Sequence, residues 1–526
     1  MDPLVRTSGP FARTLPVPTR REDVVEERFG HSIADPYRWL EDGQSEEVRR
    51  WTDEQNALTR RVLDRVPGRD QLHARLHELL SIGSIGTPVS RKLAAGHSRY
   101  FYTRRDGRQN QHVLYARDGV AGKDEPLVDP NALSSEGTTA LDWWFPSEDG
   151  RHVAYGLSEN GDEQSTLYVR DVERKIDLPD RIDRTRYASI AWLPDGKGFY
   201  YTRYPAKGSV AQGEEGYHRL LYLHRLGDDP DRDAYVFGKG RAMTDSPSVD
   251  LSPDGRWLLV SVSEGWAKTE LYLKDLHAKK GADFQLLTGG KEAVFEATAQ
   301  NDALYVRTND GASRYRLFSV DPLHPARTRW TEVLPEHATD VLDGAALVGN
   351  DLIATYLVDA SSRLRLFSRT GEPKGEVSLP TLGSTSGAEG RWDGDEAFYD
   401  FSSYAVAPTI YRLDLHTGQP EKWEAVEAPI DPAAFEVERI AAESKDGTRI
   451  PAFLVHRKGL QKSGKTPTVL TGYGGFNINI VPTFSRSSYA LLERGGILAV
   501  ANLRGGGEFG EAWHRGGMLE HKQNVF

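Results

Sequence analysis

The sequence predicts a two-part protein: a seven-bladed β-propeller joined to an α/β domain of which only the first part lies within the 526 residues. Three observations carry that expectation. An aromatic-centred phrase recurs seven times, Asp-Gly turns separate short β-rich runs, and the last hundred residues switch to apolar strands around a helix.

Residues 1–80 read as an extended arm and two helices. Ser45 can cap a helix whose first turn carries Glu46 and Glu47, and Val48, Trp51, Leu58, Val62 and Val66 then share one face. Pro67-Gly68 ends it, and a second helix from Asp70 is expected to turn Leu72, Leu76, Leu79 and Leu80 inward. Two amphipathic helices need a partner elsewhere in the chain.

Residues 81–430 abandon helical spacing. The runs "SEDGRHVAYGLS", "LPDGKGFYYTRY" and "SPDGRWLLVSVS" each place Asp-Gly between β-rich segments, a tight-turn signal. The phrases "VLYARD", "LYVRDV", "LYLHRL", "LYLKDL", "RLFSVD", "RLFSRT" and "IYRLDL" centre on Tyr115, Tyr168, Tyr222, Tyr272, Phe318, Phe367 and Tyr411, 44 to 54 residues apart. That period is one four-stranded blade, and seven copies imply seven blades; strands of a β-sandwich do not recur at this length.

Residues 431–526 read as "FEVERIAAES", "IPAFLVHR", "TVLTGY" and "GILAVANL", apolar runs with a helical stretch, "FSRSSYALLERGG", before the last. About four strands of a buried sheet are expected, ending in an apolar parallel edge that folded proteins usually cover. The chain is therefore expected to hold the first half of that domain.

Composition narrows the function. A formal charge of −11 argues against a large phosphate-binding surface, so no nucleic-acid partner is expected. Hydrophobic residues at 38% are enough for cores, yet no run approaches the roughly 18 to 20 apolar residues of a membrane span. No membrane association, a monomer and a cytoplasmic location are expected, the N-terminus lacking the apolar core of a signal peptide. With zero cysteines, disulfides, thiolate metal sites and cysteine catalysis are excluded. No metal or other cofactor is called for: there is no His-Glu-x-x-His, and Asp228, Asp229, Asp231 and Asp233 read as a solvated loop rather than a calcium site.

The most informative stretch is "PTVLTGYGGFNINI", where a strand ends in Gly472-Tyr473-Gly474-Gly475. Phosphate cradles use glycine loops, but neither this run nor "RGGGEFG" has the lysine or the spacing they need. An α/β-hydrolase uses such a turn after its third strand to help hold the oxyanion of acyl transfer, and a Tyr473 phenol could donate there. Tyr473 could equally be a core aromatic with a satisfied hydroxyl.

Five segments, in order from about residue 20 to the last, resemble one family. "REDVVEERFGHSIADPYRWLED", "DPNALSSEGTTAL", "AWLPDGKGFYY", "GYGGFNI" and "VANLRGGGEFGEAWHRGGMLEHKQN" are similar to the prolyl oligopeptidases. "GYGGFN" favours the proline-specific branch over its sister, oligopeptidase B. The resemblance implies a seven-bladed propeller plus an α/β-hydrolase domain, an N-terminal arm packed on the catalytic region, and Ser-His-Asp cleavage of short peptides after proline, with the propeller limiting access. It assigns Tyr473 to the oxyanion hole, Phe476 to the pocket around the substrate proline, and Tyr187 and Trp266 to the apolar walls of a more distant subsite. Blade packing is the other reading of those two, and Trp266 stands where the family can carry a smaller residue.

One departure stands out. No Gly-x-Ser-x-Gly elbow occurs among these residues, and the resemblance implies that the serine, aspartate and histidine follow the point matching residue 526, where they are expected. His514 precedes the family's catalytic segment and reads as structural or surface. The reading is thus a serine endopeptidase acting on short proline-containing peptides; the alternative is a non-catalytic peptide-binding propeller or an inactive fragment.

Overall fold

The computed structural model describes residues 16–278 and 282–526. Two compact units divide the chain near residue 78.

In the first unit a two-stranded hairpin, Val25–Arg28 with His31–Ala34, precedes a helix over Glu46–Leu63. Ser45 caps it as expected, its side chain accepting from the Val48 N–H. Trp51 anchors the extended arm by donating Nε1–H to Thr19 Oγ1 at 3.0 Å. The following helix, Arg69–Leu80, departs from the expected inward face. Leu79 is fully buried and Leu76 half-buried, but Leu72 and Leu80 are 36% and 54% exposed.

The second unit contains seven antiparallel sheets, each made from consecutive strands. The seven aromatics of the repeated phrase all fall on the third strand of their sheets, from Val113–Asp118 in blade 1 to Thr409–Asp414 in blade 7. The three Asp-Gly turns join first to second strands, as in Ser246–Leu251 and Trp257–Glu264 of blade 4. Blade 1 has a broken inner strand: Ser84–Ile85 and Val89–Lys92 both pair with Ser98–Arg105, and Pro88, which has no N–H to donate, lies at the break.

Because no strand is shared between blades, side chains hold the ring together. Buried clusters join neighbouring blades, for example Trp257, Leu259 and Leu271 with Phe295, Leu304 and Val306 between blades 4 and 5. The first and last blades meet through Tyr100, Phe398 and Ile410, with the Tyr100 hydroxyl donating to Glu396 at 2.7 Å.

The α/β domain has four strands in the spatial order Phe435–Glu443, Arg449–Arg457, Ile497–Ala501, Thr468–Gly472. The first three are antiparallel neighbours and the last pair is parallel. Phe453, Val455, Leu498 and Val500 bury one face beneath the short helix Tyr489–Leu492. The parallel edge strand is open, with Leu470 72% exposed.

Three blades hold this domain through their loops between second and third strands. Ser313 of blade 5 accepts from the Glu511 N–H at 2.7 Å, Asp359 of blade 6 from Arg439 at 3.2 Å, and the Tyr404 carbonyl of blade 7 from the Tyr489 hydroxyl at 2.6 Å.

Candidate functional site

The glycine turn closes against a second glycine run. Gly474 has φ +65°, and a Cβ there would lie 2.7 Å from the Arg504 carbonyl oxygen and 2.8 Å from Leu503 Cβ. Gly505 in turn has φ +96°, with a Cβ position 2.5 Å from the Gly474 oxygen. Side chains at either position would push the two segments apart. The pair is laced by Asn477 N–H to Gly505 O at 3.1 Å and by Lys522, whose ammonium donates to the Gly474 carbonyl at 2.9 Å.

After the turn, Phe476 and Asn477 both adopt left-handed backbone, at φ +54° and +58°. Tertiary contacts hold the segment. Asn477 donates to the Tyr315 hydroxyl at 3.1 Å, Asn479 to Asp343 at 2.8 Å, and the Ile480 N–H to Glu508 Oε1 at 2.8 Å. Glu508 is 1% exposed and also accepts from Asn502 at 3.2 Å; burial raises its carboxyl pKa above the usual range. Arg504 anchors the second glycine run to the strand hairpin through Asp446, Thr448 and Ser444.

This backbone presents Phe476 toward the propeller. Its ring centroid is 5.5 Å from that of Trp266, at an interplanar angle of 53°, and Trp266 occupies the tip of the blade 4 hairpin. Both rings line a cavity of about 740 Å³ with Gly475, His514, Met518 and Lys522. Tyr473 lies beside it and is 49% exposed, its Cε1 3.7 Å from where a Gly475 Cβ would be. Tyr187 does not belong to this cavity's walls. It stands at φ +49° on the loop between blades 2 and 3, its hydroxyl bonded to Glu163 and the Arg186 guanidinium 4.8 Å over its ring. The structure therefore brings together Phe476, Trp266 and the turn carrying Tyr473, and leaves Tyr187 apart.

One profile, "Prolyl oligopeptidase, N-terminal beta-propeller domain", matches residues 16–426. The chain belongs to the prolyl oligopeptidase family. A second profile, "Prolyl oligopeptidase family", matches residues 482–526. The prolyl endopeptidase of Elizabethkingia miricola is 34% identical over 511 residues, covering 97% of this chain and 71% of that protein. A structure solved in a study of two prolyl endopeptidases and the role of their inter-domain dynamics superposes with a TM-score of 0.91 at 40% identity, over 97% of this chain and 74% of that one. Prolyl oligopeptidase B of Galerina marginata, bound to a 35mer hydrolysis and macrocyclization substrate, gives 0.88 at 26% identity, over 97% and 75%. Its apo form gives 0.74 at 27%, with the same coverage. The chain thus holds the family's propeller and the start of its catalytic domain.

Several supports of the site escaped the sequence reading. Glu508, Asn502 and Arg504 lie in the "VANLRGGGEFGEAW" run, which carried the family resemblance, but nothing in residue type announced that they tie the glycine turn down. His514 is structural rather than surface: it is 3% exposed and 3.3 Å from Glu511. Although burial opposes it, His514 and Arg515 keep the Glu511 carboxyl below its usual range.

The acidic loop of blade 3 also needs correction. Asp228, Asp229 and Asp231 are exposed, but the Asp233 side chain is 2% exposed and takes a hydrogen bond from the Tyr201 hydroxyl. A burial-driven requirement for a partner is met by His224. Among the described residues, Glu436, Glu438 and His456 bring metal-type donors within 4.8 Å of one another. Lys462 already neutralises Glu438, and His456 Nδ1–H donates to the Arg457 carbonyl at 2.8 Å, so the group is satisfied without an ion.

Proposed function

We propose that this chain supplies the substrate-facing part of a serine-type endopeptidase that cleaves short peptides on the carboxyl side of proline. In this reading Tyr473 donates to the oxyanion, Phe476 stacks on the substrate proline, and Trp266 extends that apolar wall from the propeller. The propeller restricts entry to short peptides, and a Ser-His-Asp triad outside the 526 residues performs acyl transfer. The carrying observation is the meeting of Phe476 and Trp266 at 5.5 Å above one cavity, with a phenol three residues away on a turn that two glycine runs hold rigid.

The tyrosine suits its part because a hydroxyl on a fixed backbone needs no reorganisation when charge develops on the carbonyl oxygen. An exposed aromatic pair suits proline, whose compact ring presents apolar CH2 groups to an aromatic face. The test is turnover of a Z-Gly-Pro reporter by the complete protein, with a fluorescent phosphonate to mark the activated serine. Cleavage after proline, with label on a serine absent from these residues, is expected; an intact protein that neither cleaves nor labels would sink the proposal. A second reading, a peptide-binding propeller without chemistry, draws on the missing Gly-x-Ser-x-Gly elbow. It requires peptide affinity without turnover.

A further inference from the structure

A second cavity opens on the same end of the propeller, at blade 3. Antiparallel meanders put every loop between a second and third strand on one end of the ring. In blades 5, 6 and 7 those loops hold the α/β domain, and in blade 4 the loop carries Trp266. The corresponding loop of blade 3, residues 204–219, is the longest of the seven and instead walls a cavity of about 450 Å³.

The cavity walls are basic. Arg184, Arg203, Arg219, Lys239 and Arg241 line it against Asp231, Asp233 and Asp245. All three carboxylates are already engaged: Asp231 with Arg203 at 3.4 Å, Asp233 with His224 at 2.9 Å, Asp245 with Arg241 at 2.9 Å. Arg184 has Asp183 at 3.1 Å.

Arg219 is held differently. Its Nη1 donates to the Tyr187 carbonyl at 2.8 Å and its Nη2 to the Ser246 hydroxyl and the Pro247 carbonyl, so every acceptor it has is neutral. Its Nε is buried with no hydrogen-bond partner, and burial lowers the guanidinium pKa. Lys239, 4.3 Å over the Tyr235 ring, has no carboxylate among its described contacts. A desolvated cation without a counter-charge is unfavourable, and an incoming anion relieves it.

We propose that this cavity is an oxyanion site whose ligand is a carboxylate of the bound peptide, Arg219 supplying the field and Lys239 the mobile donor. The second half rests on the proposed peptidase function. Arg219 also fastens the Tyr187 carbonyl, so the loop carrying an expected substrate wall and the anion site share one anchor.

Two probes test it on the complete protein. The first is inorganic phosphate, followed by calorimetry in the absence of peptide. The second is a set of labelled proline peptides with Glu or Gln at successive positions before the proline, followed by anisotropy at low and high salt. A Glu peptide at one position should bind about tenfold tighter than its Gln partner, the order expected of one close charge pair near a protein surface, and salt should erase the gain. Lys239→Met and Arg219→Met should both abolish it and the phosphate heat; Lys239 makes one ring contact, so its loss does not disturb the fold. Phosphate binding without a Glu preference keeps the site and assigns it to a free anion. Absence of both effects in the wild type, or their persistence in both variants, overturns it. If no proline peptide binds, the peptidase reading fails, and the phosphate arm still decides the cavity.

Discussion

Tyr473 and Phe476 share one turn but face different demands. The Tyr473 hydroxyl is useful only where negative charge develops, so its removal should act on the transition state and leave ground-state binding alone. In the complete protein Tyr473→Phe should lower kcat on the order of 10²-fold with KM nearly constant, the usual effect of losing one oxyanion donor. Equal kcat in steady-state assays would strip the phenol of that part. Phe476→Ala deletes apolar wall that substrate and transition state use alike, so KM should rise several-fold and kcat change less. Because Phe476 sits at φ +54°, alanine inherits the same backbone strain and the comparison isolates the ring.

At the scale of elements, blade 3 contains a buried ion triad that sets its pH response. His224 is fully buried and donates Nε2–H to Asp180 and Nδ1–H to Asp233, each at 2.9 Å. Burial alone favours the neutral ring, but the two carboxylates outweigh it and push the pKa up to about 9. A group whose folded pKa lies above its unfolded value stabilises fully below the unfolded value, about 6.5, and loses that contribution as pH rises through 9. Urea unfolding should therefore show stability falling by on the order of 3 kcal/mol between pH 6.5 and pH 9.5, and His224→Gln should flatten that slope. The seam between blades 1 and 7 makes a separate case. Tyr100 packs on Phe398 at 5.3 Å and bonds Glu396, in the smallest of the buried clusters between blades. Tyr100→Ala should cost about 3–5 kcal/mol and lower the unfolding midpoint, because no shared strand compensates. Tyr100→Phe, which leaves Glu396 buried without that donor, should cost about 1–3 kcal/mol.

The whole molecule was legible where a local pattern repeats and obscure where distant residues meet. Seven aromatics at blade spacing announced seven blades, and the structure sets each of them on a third strand, since packing between adjacent blades imposes the same residue type at the same register. The Arg504, Asn502 and Glu508 supports were not legible, because their partners lie at Asp446, Ile480 and beyond, and no periodicity links such positions. The contact of Trp266 with Phe476 was invisible for the same reason: it joins two domains. That contact bears on how substrate enters a cavity walled from both sides. The propeller is joined to the rest of the chain near residues 82–88, which include the first stretch of blade 1's inner strand, and near 425–435, and we propose that these two segments act as the hinge. Freezing the interface should then block entry without touching the chemistry. These 526 residues contain no cysteine, so Ser313→Cys with Ala512→Cys places one new thiol pair within them, and the Ala512 nitrogen lies 2.9 Å from Ser313 Oγ. Oxidation of this pair in the complete protein should slow reporter cleavage severalfold, and reductant should restore it. Turnover that is unchanged after mass spectrometry confirms the crosslink would mean that peptides enter by another path, through loops at the rim rather than by parting the domains.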